Sequence, residues 1–282
     1  MDNETQRAPL AVFRDARGLE IFHYNAAETM FVYDEIFRDR VYFRHGIRLQ
    51  KGDCVWDIGA NIGLFTMFVQ ENFEEIKVHA FEPSPRIYEI LASNTARYGD
   101  RVVAHSCGVA GLERNATFTF YPNYSIMSGF HAHEQGDRII LRTGILNEWR
   151  QRHPNGEDIE DRFLDGLVDA AIGRRQEYLC QLRTISQLID ETGTQMIDLL
   201  KIDAEGSELD ILCGIRDEHW SVIRQVVMEI HDSGSDVTST ITKTLAQRGF
   251  QTTVEQESGL SGSGVVNCYA IRSSCSPPHG SL

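Results

Sequence analysis

Short apolar runs alternate with longer amphipathic ones along most of this chain. "CVWDIG" (54–59) is a buried-strand pattern, and "IGLFTMFVQENF" (62–73) is the helix that follows it. "KVHAFEP" (77–83) is a second strand, stopped by Pro83. "SPRIYEILASNTARYG" (84–99) is a second helix, with Pro85 near its start and Gly99 past its end. "RVVAHSCGV" (101–109) is a third strand. After an interruption the order returns as "MIDLLKIDAEG" (196–206, strand), "SELDILCGI" (207–215, helix), "RQVVMEIHD" (224–232, strand) and "SDVTSTITKTLAQRG" (235–249, helix). "FQTTVE" (250–255) and "NCYAIRS" (267–273) close the chain as a strand pair across a Gly/Ser loop. Strands alternating with helices predict an α/β fold: a doubly wound, mostly parallel sheet, here with an antiparallel edge strand.

Residues 1–50 are expected to form a helical lead-in, with a helix over 28–39 whose apolar set is Phe31, Tyr33, Ile36 and Phe37. Residues 51–272 form the main domain, and 273–282 a frayed tail. The interruption at about 120–180 begins with a strand, "ATFTFYP", and ends with another, "LCQLRT", before the helix "ISQLIDET". Between them, 123–178 is polar and is expected to be irregular. An insertion of that length commonly serves as a lid.

At the first strand end stands Asp57-x-Gly59-x-Asn61-x-Gly63, a turn into a helix N-terminus. Such a turn is a ligand site, since the helix start offers free N–H groups and the glycines admit close approach. A carboxylate in front repels phosphate and suits a cofactor with a cationic end. Glu82 ends the next strand, 25 positions on, where an acid in α/β nucleotide folds bonds ribose hydroxyls. An acid near an amine and an acid on a ribose point to S-adenosylmethionine, with S-adenosylhomocysteine as product. Ser106 and Cys107, after the third strand, are placed at the adenine.

"VWDIGANIGLFT", "FEPSP" and especially "LLKIDAEGSELDIL" resemble the FkbM-type S-adenosylmethionine-dependent methyltransferases, with the Lys201–Glu208 stretch the most specific part. The 28–47 segment is similar to the lead-in of methyltransferase domains in polyketide and peptide synthetase systems. The resemblance implies a class I, Rossmann-like methyltransferase. It also implies transfer to oxygen, on acceptors such as polyketide and sugar hydroxyls.

A hydroxyl acceptor needs a general base, and acids and bases gather at the carboxyl ends of parallel strands. Asp203 ends the fourth strand; Glu229 and His231, two apart and so on one face, end the fifth. His231 is assigned as the base, since imidazole titrates near neutrality, with Glu229 assisting and Asp203 facing the transfer site. Glu205 is read as organising the turn, Glu208 as a first-turn helix acid, and Lys201 as a buried cation paired with a carboxylate. Tyr33 and Phe37, with the aromatics of 121–130, are candidates for covering the acceptor. Asp203, Glu229, His231 and Asp232 have the donor chemistry for a divalent ion, but their spacing does not demand one, so no metal site is assigned.

The net charge of −14 disfavours nucleic acid as a partner. No run reaches a membrane span, and six scattered cysteines without a CxxC pair fit a reducing cytoplasm. The expected function is O-methylation of a polyketide or hybrid natural product, free or carrier-tethered. N- or C-methylation on the same fold and a non-catalytic cofactor-binding module are the alternatives. Oligomeric state is not legible.

Overall fold

The computed structural model describes residues 10–132, 134–153, 159–232, 236–256 and 264–272. The predicted tail, Cys275, His133 and most of the Gly/Ser loop lie outside the described residues.

The core is a seven-stranded sheet. Its strands are β3 (Cys54–Ile58), β4 (Lys77–Phe81), β5 (Val102–His105), β9 (Leu199–Ile202), β10 (Gln225–His231), β11 (Phe250–Glu255) and β12 (Val265–Arg272), in the spatial order β11-β12-β10-β9-β3-β4-β5. The block from β10 to β5 is parallel. β12 is antiparallel to both its neighbours and lies between β10 and the edge strand β11. The closing strand pair is therefore present, with β12 inserted one position inside the edge. This is the class I methyltransferase strand arrangement.

Each face of the sheet is buried. Val55, Leu199 and Val227 pack with Phe65, Phe68, Ile90 and Leu91 of α2 (Leu64–Asn72) and α3 (Pro85–Thr95). Trp56, Ile58, Leu200 and Ile202 pack on the other face with Ile185, Leu188, Ile211, Leu212, Ile241 and Leu245. These come from α6 (Ile185–Thr192), α7 (Glu208–Cys213) and α8 (Val237–Gln247). Local signals set the helix ends. Ser84 caps α3 with Pro85 at its first turn, and Thr184 and Gln187 form a capping box on α6. Cys107, Cys180 and Cys268 are buried among apolar groups, whereas Cys213 is exposed.

The lead-in differs from expectation. It opens with a hairpin, β1 (Ala11–Arg14) and β2 (Glu20–His23), turned by Asp15, whose Oδ1 accepts from Arg17 N and Leu19 N at 2.9 and 2.8 Å. The expected single helix is α1 (Ala26–Tyr33) followed by a π-helical turn, Asp34–Arg38, and Phe31 points outward.

The described residues of the insertion form regular elements, against the expected irregularity. β6 (Gly108–Val109), β7 (Arg114–Phe120) and β8 (Gln176–Arg183) make a small sheet. Between β7 and β8 stand α4 (Glu134–Arg152) and α5 (Asp161–Ile172). Leu164, Val168 and Ile172, spaced four apart, give α5 one buried stripe. Arg138 reaches Asp169 at 2.6 Å, and Arg142 pairs with Asp161 and Asp165. These helices read as irregular in sequence because their charges are satisfied by each other.

The insertion is pinned to the lead-in by a buried acid. Glu28 Oε2 accepts from Ser125 N at 2.7 Å, Ser125 Oγ donates to Oε1, and Asn25 Nδ2 donates to Asn123 O at 2.9 Å. Truncating Glu28 leaves the Ser125 donors buried without partners. Glu28→Ala is expected to cost about 1–3 kcal/mol in denaturant unfolding and to open 123–178 to limited proteolysis before the sheet. A protease-resistant insertion in that variant contradicts the pin.

Candidate active site

The carboxyl ends of β3, β4, β9 and β10 meet in one place. Asp57, on β3, stands opposite Lys201 on β9 in the parallel register, so both side chains leave the same face. Asp57 is fully buried. Its Oδ2 accepts from Thr66 Oγ1 at 2.7 Å, and its Oδ1 lies 3.2 Å from Lys201 Nζ. Lys201, only 3% exposed, also donates to Gly59 O at 3.0 Å and lies 3.4 Å from Asp203 Oδ2. The rings of Tyr42 and Phe65 cover its ammonium, centroids 5.5 and 6.0 Å away. Burial alone would lower the Lys201 pKa, but Asp57 and Asp203 outweigh it and hold it above its ordinary value. The sequence paired Asp57 with a cofactor amine. The ammonium it meets is that of Lys201.

The glycines answer first to the chain itself. Gly59 has φ +72°, and a Cβ there would sit 1.7 Å from Asp203 O. Gly63 has φ +90° at the start of α2, where a Cβ would meet Leu91 Cδ1 at 2.8 Å. Asn61 is also left-handed, a conformation that asparagine tolerates. Its backbone N–H donates to Glu82 Oε2 at 3.1 Å, while Ser84 N donates to Oε1 at 2.8 Å. Glu82 thus ties the turn to the end of β4, and burial pushes its pKa up to about 7. After β5, Ser106 is exposed, and Cys107 turns its thiol into the second core. Only backbone groups of Cys107 are left to face a ligand.

Asp203, Glu229 and His231 do come together, with more company than expected. His231 Nδ1 lies 3.1 Å from Glu208 Oε1; Nε2 lies 3.2 Å from Glu205 Oε2 and 3.4 Å from Glu229 Oε1. Burial by itself would lower this imidazole, yet Glu205 and Glu208 outweigh it and raise it well above the ordinary 6.5. The carboxylates thus favour the protonated ring, and its titration lies above that of an ordinary imidazole. Burial, then the Asp203 carboxylate, pushes Glu229 well above its ordinary value, and Glu205 is raised as well, again by burial first.

Tyr42, Glu205 and Glu208 were missed as site residues. Tyr42 OH donates to Asp203 Oδ2 at 3.1 Å. Glu208, read as a first-turn helix acid, does open α7, and there it is 1% exposed and accepts from Gly206 N at 2.9 Å. The clue was spacing: Glu205 and Glu208 flank a glycine in a turn directly after a strand. Tyr33 and Phe37 lie elsewhere. They stack on each other at 4.3 Å, Tyr33 bonding Asp15 and Phe37 meeting Phe68.

The insertion does reach the site. A Cβ at Gly129 would lie 3.0 Å from Glu205 Cβ, and one at Gly206 would lie 3.8 Å from His131 Cβ. Among the described residues no group of three or more His, Cys, Asp or Glu side chains is arranged to hold a metal ion. Asp232, one of the four oxygen and nitrogen donors considered, accepts instead from Thr238 N at 3.0 Å.

Three comparisons place these features among known proteins. The family profile described as the methyltransferase FkbM domain matches residues 57–252. The chain is 36% identical over 269 residues to a 31-O-demethyl-FK506 methyltransferase, FkbM, of Streptomyces tacrolimicus, covering 95% of this chain and 97% of that one. It is also 36% identical over 261 residues to the AMB antimetabolite synthetase AmbE of Pseudomonas aeruginosa; the match spans 90% of this chain but 12% of that protein's length. A crystal structure of a methyltransferase FkbM from Methylobacillus flagellatus superposes with a TM-score of 0.51 at 17% identity, over 85% of this chain and 48% of that one.

Lys201 is the residue on which the site's geometry turns. Lys201→Met leaves Asp57 buried without its cation and is expected to cost about 3–5 kcal/mol in thermal or denaturant unfolding. The double variant Asp57→Asn/Lys201→Met recovers part of that loss. A single variant as stable as wild type contradicts the ion-pair account.

Proposed function

The chain belongs to the FkbM methyltransferase family, and on that premise we propose that it transfers a methyl group from S-adenosylmethionine to a hydroxyl oxygen of a natural-product acceptor, with His231 as general base. The observation that carries the base assignment is the His231 ring, held at the end of β10 with Nε2 between Glu205 and Glu229, each a quarter exposed. The printed name of the Streptomyces relative, a 31-O-demethyl-FK506 methyltransferase, supports oxygen as the acceptor atom. The match to a stretch of a synthetase leaves both a free and a carrier-tethered acceptor within the reading. A cytoplasmic setting is part of the proposal; among the described residues no helix is long and apolar enough to cross a membrane.

The residues fit the cofactor. Glu82 is a buried acid at the end of β4, where ribose hydroxyls are bound in such folds. The 59–63 turn brings its backbone to the start of α2. Glu82, the turn with Asn61, and the backbone of Ser106 and Cys107 are the groups that would hold it. Asp57 acts behind them, fixing the turn through Lys201. The cofactor supplies an electrophilic methyl on a positively charged sulfur.

The protein's part is positioning and proton removal. Neutral His231 would take the acceptor's hydroxyl proton at Nε2 as the oxygen accepts the methyl that the bound cofactor would supply. Glu205 and Glu229 then stabilise the imidazolium that results. Asp203, held by Lys201 and Tyr42, presents a fixed carboxylate beside the transfer site.

Two measurements test this. Calorimetric titration with S-adenosylhomocysteine is expected to give saturable binding, weakened about tenfold or more by Glu82→Ala, equivalent to about 1.4 kcal/mol. Unchanged affinity in that variant removes Glu82 from the pocket. Separately, a base must be neutral to work, and the clamped imidazole loses its proton only above its ordinary 6.5. The kcat of the wild type is therefore expected to rise with pH along a limb lying above 6.5, and His231→Ala to lose about 100-fold or more. Full turnover by His231→Ala rules out the base assignment.

A further inference from the structure

Two carboxylates three residues apart grip opposite nitrogens of one ring. Glu205 and Gly206 are both left-handed, φ +48° and +88°, so the chain reverses between the end of β9 and the start of α7. That reversal sends Glu205 to Nε2 of His231 and Glu208 to Nδ1. The two sides are unlike. Glu208 is 1% exposed, while Glu205 and Glu229 on the Nε2 side are each 25% exposed. One oxygen of Glu208, Oε1, meets both Gly206 N at 2.9 Å and His231 Nδ1 at 3.1 Å. An ionised carboxylate only accepts, so the contact of Oε1 with Nδ1 favours a proton on Nδ1.

We propose that Glu208 is a positioning residue that selects the tautomer of neutral His231, fixing the proton on Nδ1 and leaving the lone pair on Nε2, toward the open side of the site. Without this contact the neutral ring is free to carry its proton on Nε2, where two carboxylates invite it, and that form has no lone pair facing the acceptor. The proposal rests on His231 being the base, but the tautomer is observable whether or not that reading holds.

Among the described residues, the charged groups that reach the ring are Glu205 from the turn, Glu208 from α7 and Glu229 from its own strand, with Glu35 acting on Glu229 in turn. Asp203 adds to the negative field on Glu205 and Glu229 and is itself paired with Lys201. On β12 the residue opposite His231 is the apolar Val265. Among the described residues Glu208 is thus the group that meets Nδ1, and removing its charge acts on the ring directly.

The test uses Glu208→Gln and Glu208→Leu in the full chain, with nitrogen-15 NMR of the imidazole on the alkaline side of its titration, alongside kcat and the KM for S-adenosylmethionine. The wild type is expected to show the Nδ1–H tautomer. Glu208→Gln can keep both contacts through its amide oxygen. It is expected to retain that tautomer and KM while the imidazole pKa and the kcat limb move to lower pH together. Glu208→Leu is expected to show both tautomers and to lose about 100-fold in kcat with KM unchanged. An Nε2–H wild type, or a Glu208→Gln ring that titrates as the wild type does, overturns the proposal. So does a Glu208→Leu ring still held as the Nδ1–H form. Should Glu208→Leu fail to fold, the glutamine variant decides alone. If His231→Ala keeps full turnover while the tautomer results stand, the base reading fails and the positioning of the ring by Glu208 survives.

Discussion

Everything at the carboxyl end of this sheet depends on one buried ammonium. Lys201 leaves β9 on the face shared with Asp57 and reaches four oxygens: Asp57 Oδ1, Ile58 O, Gly59 O and Asp203 Oδ2. A charge removed from water is tolerable only when partners replace the water, so these oxygens are held close. The consequence is geometric. The 59–63 turn is drawn against the loop after β9, so tightly that position 59 has room for no side chain beyond hydrogen. The lead-in closes over the top, with Tyr42 covering Lys201 and bonding Asp203. The 59–63 turn, the loop after β9 and the N-terminal segment are thereby locked by a single side chain.

Beside this locked half is one crowded with like charge. Glu205, Glu208 and Glu229 surround one histidine, Asp203 adds to the field on Glu205 and Glu229, and burial favours the protonated forms of those two acids. The imidazole and two of the acids are all raised, Glu205 and Glu229 by burial first and His231 by its acidic neighbours against its own burial. Protonation is favoured at these three groups, and a positive charge arriving beside them opposes it. The sulfonium of the proposed cofactor carries such a charge, which makes proton release and cofactor occupancy natural companions.

The insertion supplies the roof and belongs to the fold as much as to the site. Phe118 and Phe120 of β7 join the main core, and Tyr121, Leu141, Val168 and Ile172 form a small core of their own. Glu28 and Asn25 tie it to α1. Residues 129–131 consequently rest against the turn that carries Glu205.

What the sequence determined by itself was local. The sheet strands were legible because each is a run of four to eight residues with Gly, Pro or polar stops, and alternation with helices implies a parallel sheet. The turn at 57–63 and the acid at 82 were legible because backbone conformation and strand ends are set by neighbours in the chain. The β1–β2 turn carried its own signal in Asp15 and Gly18 and went unread, as did the stripe of α5. Three things were decided by tertiary structure alone: the ammonium that Asp57 meets, the acid on each nitrogen of His231, and the pairing of charges between α4 and α5. Each joins residues far apart in sequence, with Asp57 and Lys201 brought side by side only by strand order. The preferred charge state of a group follows from its partners and its burial. A sequence can therefore name a histidine at a strand end, but only the folded chain determines whether that histidine is neutral.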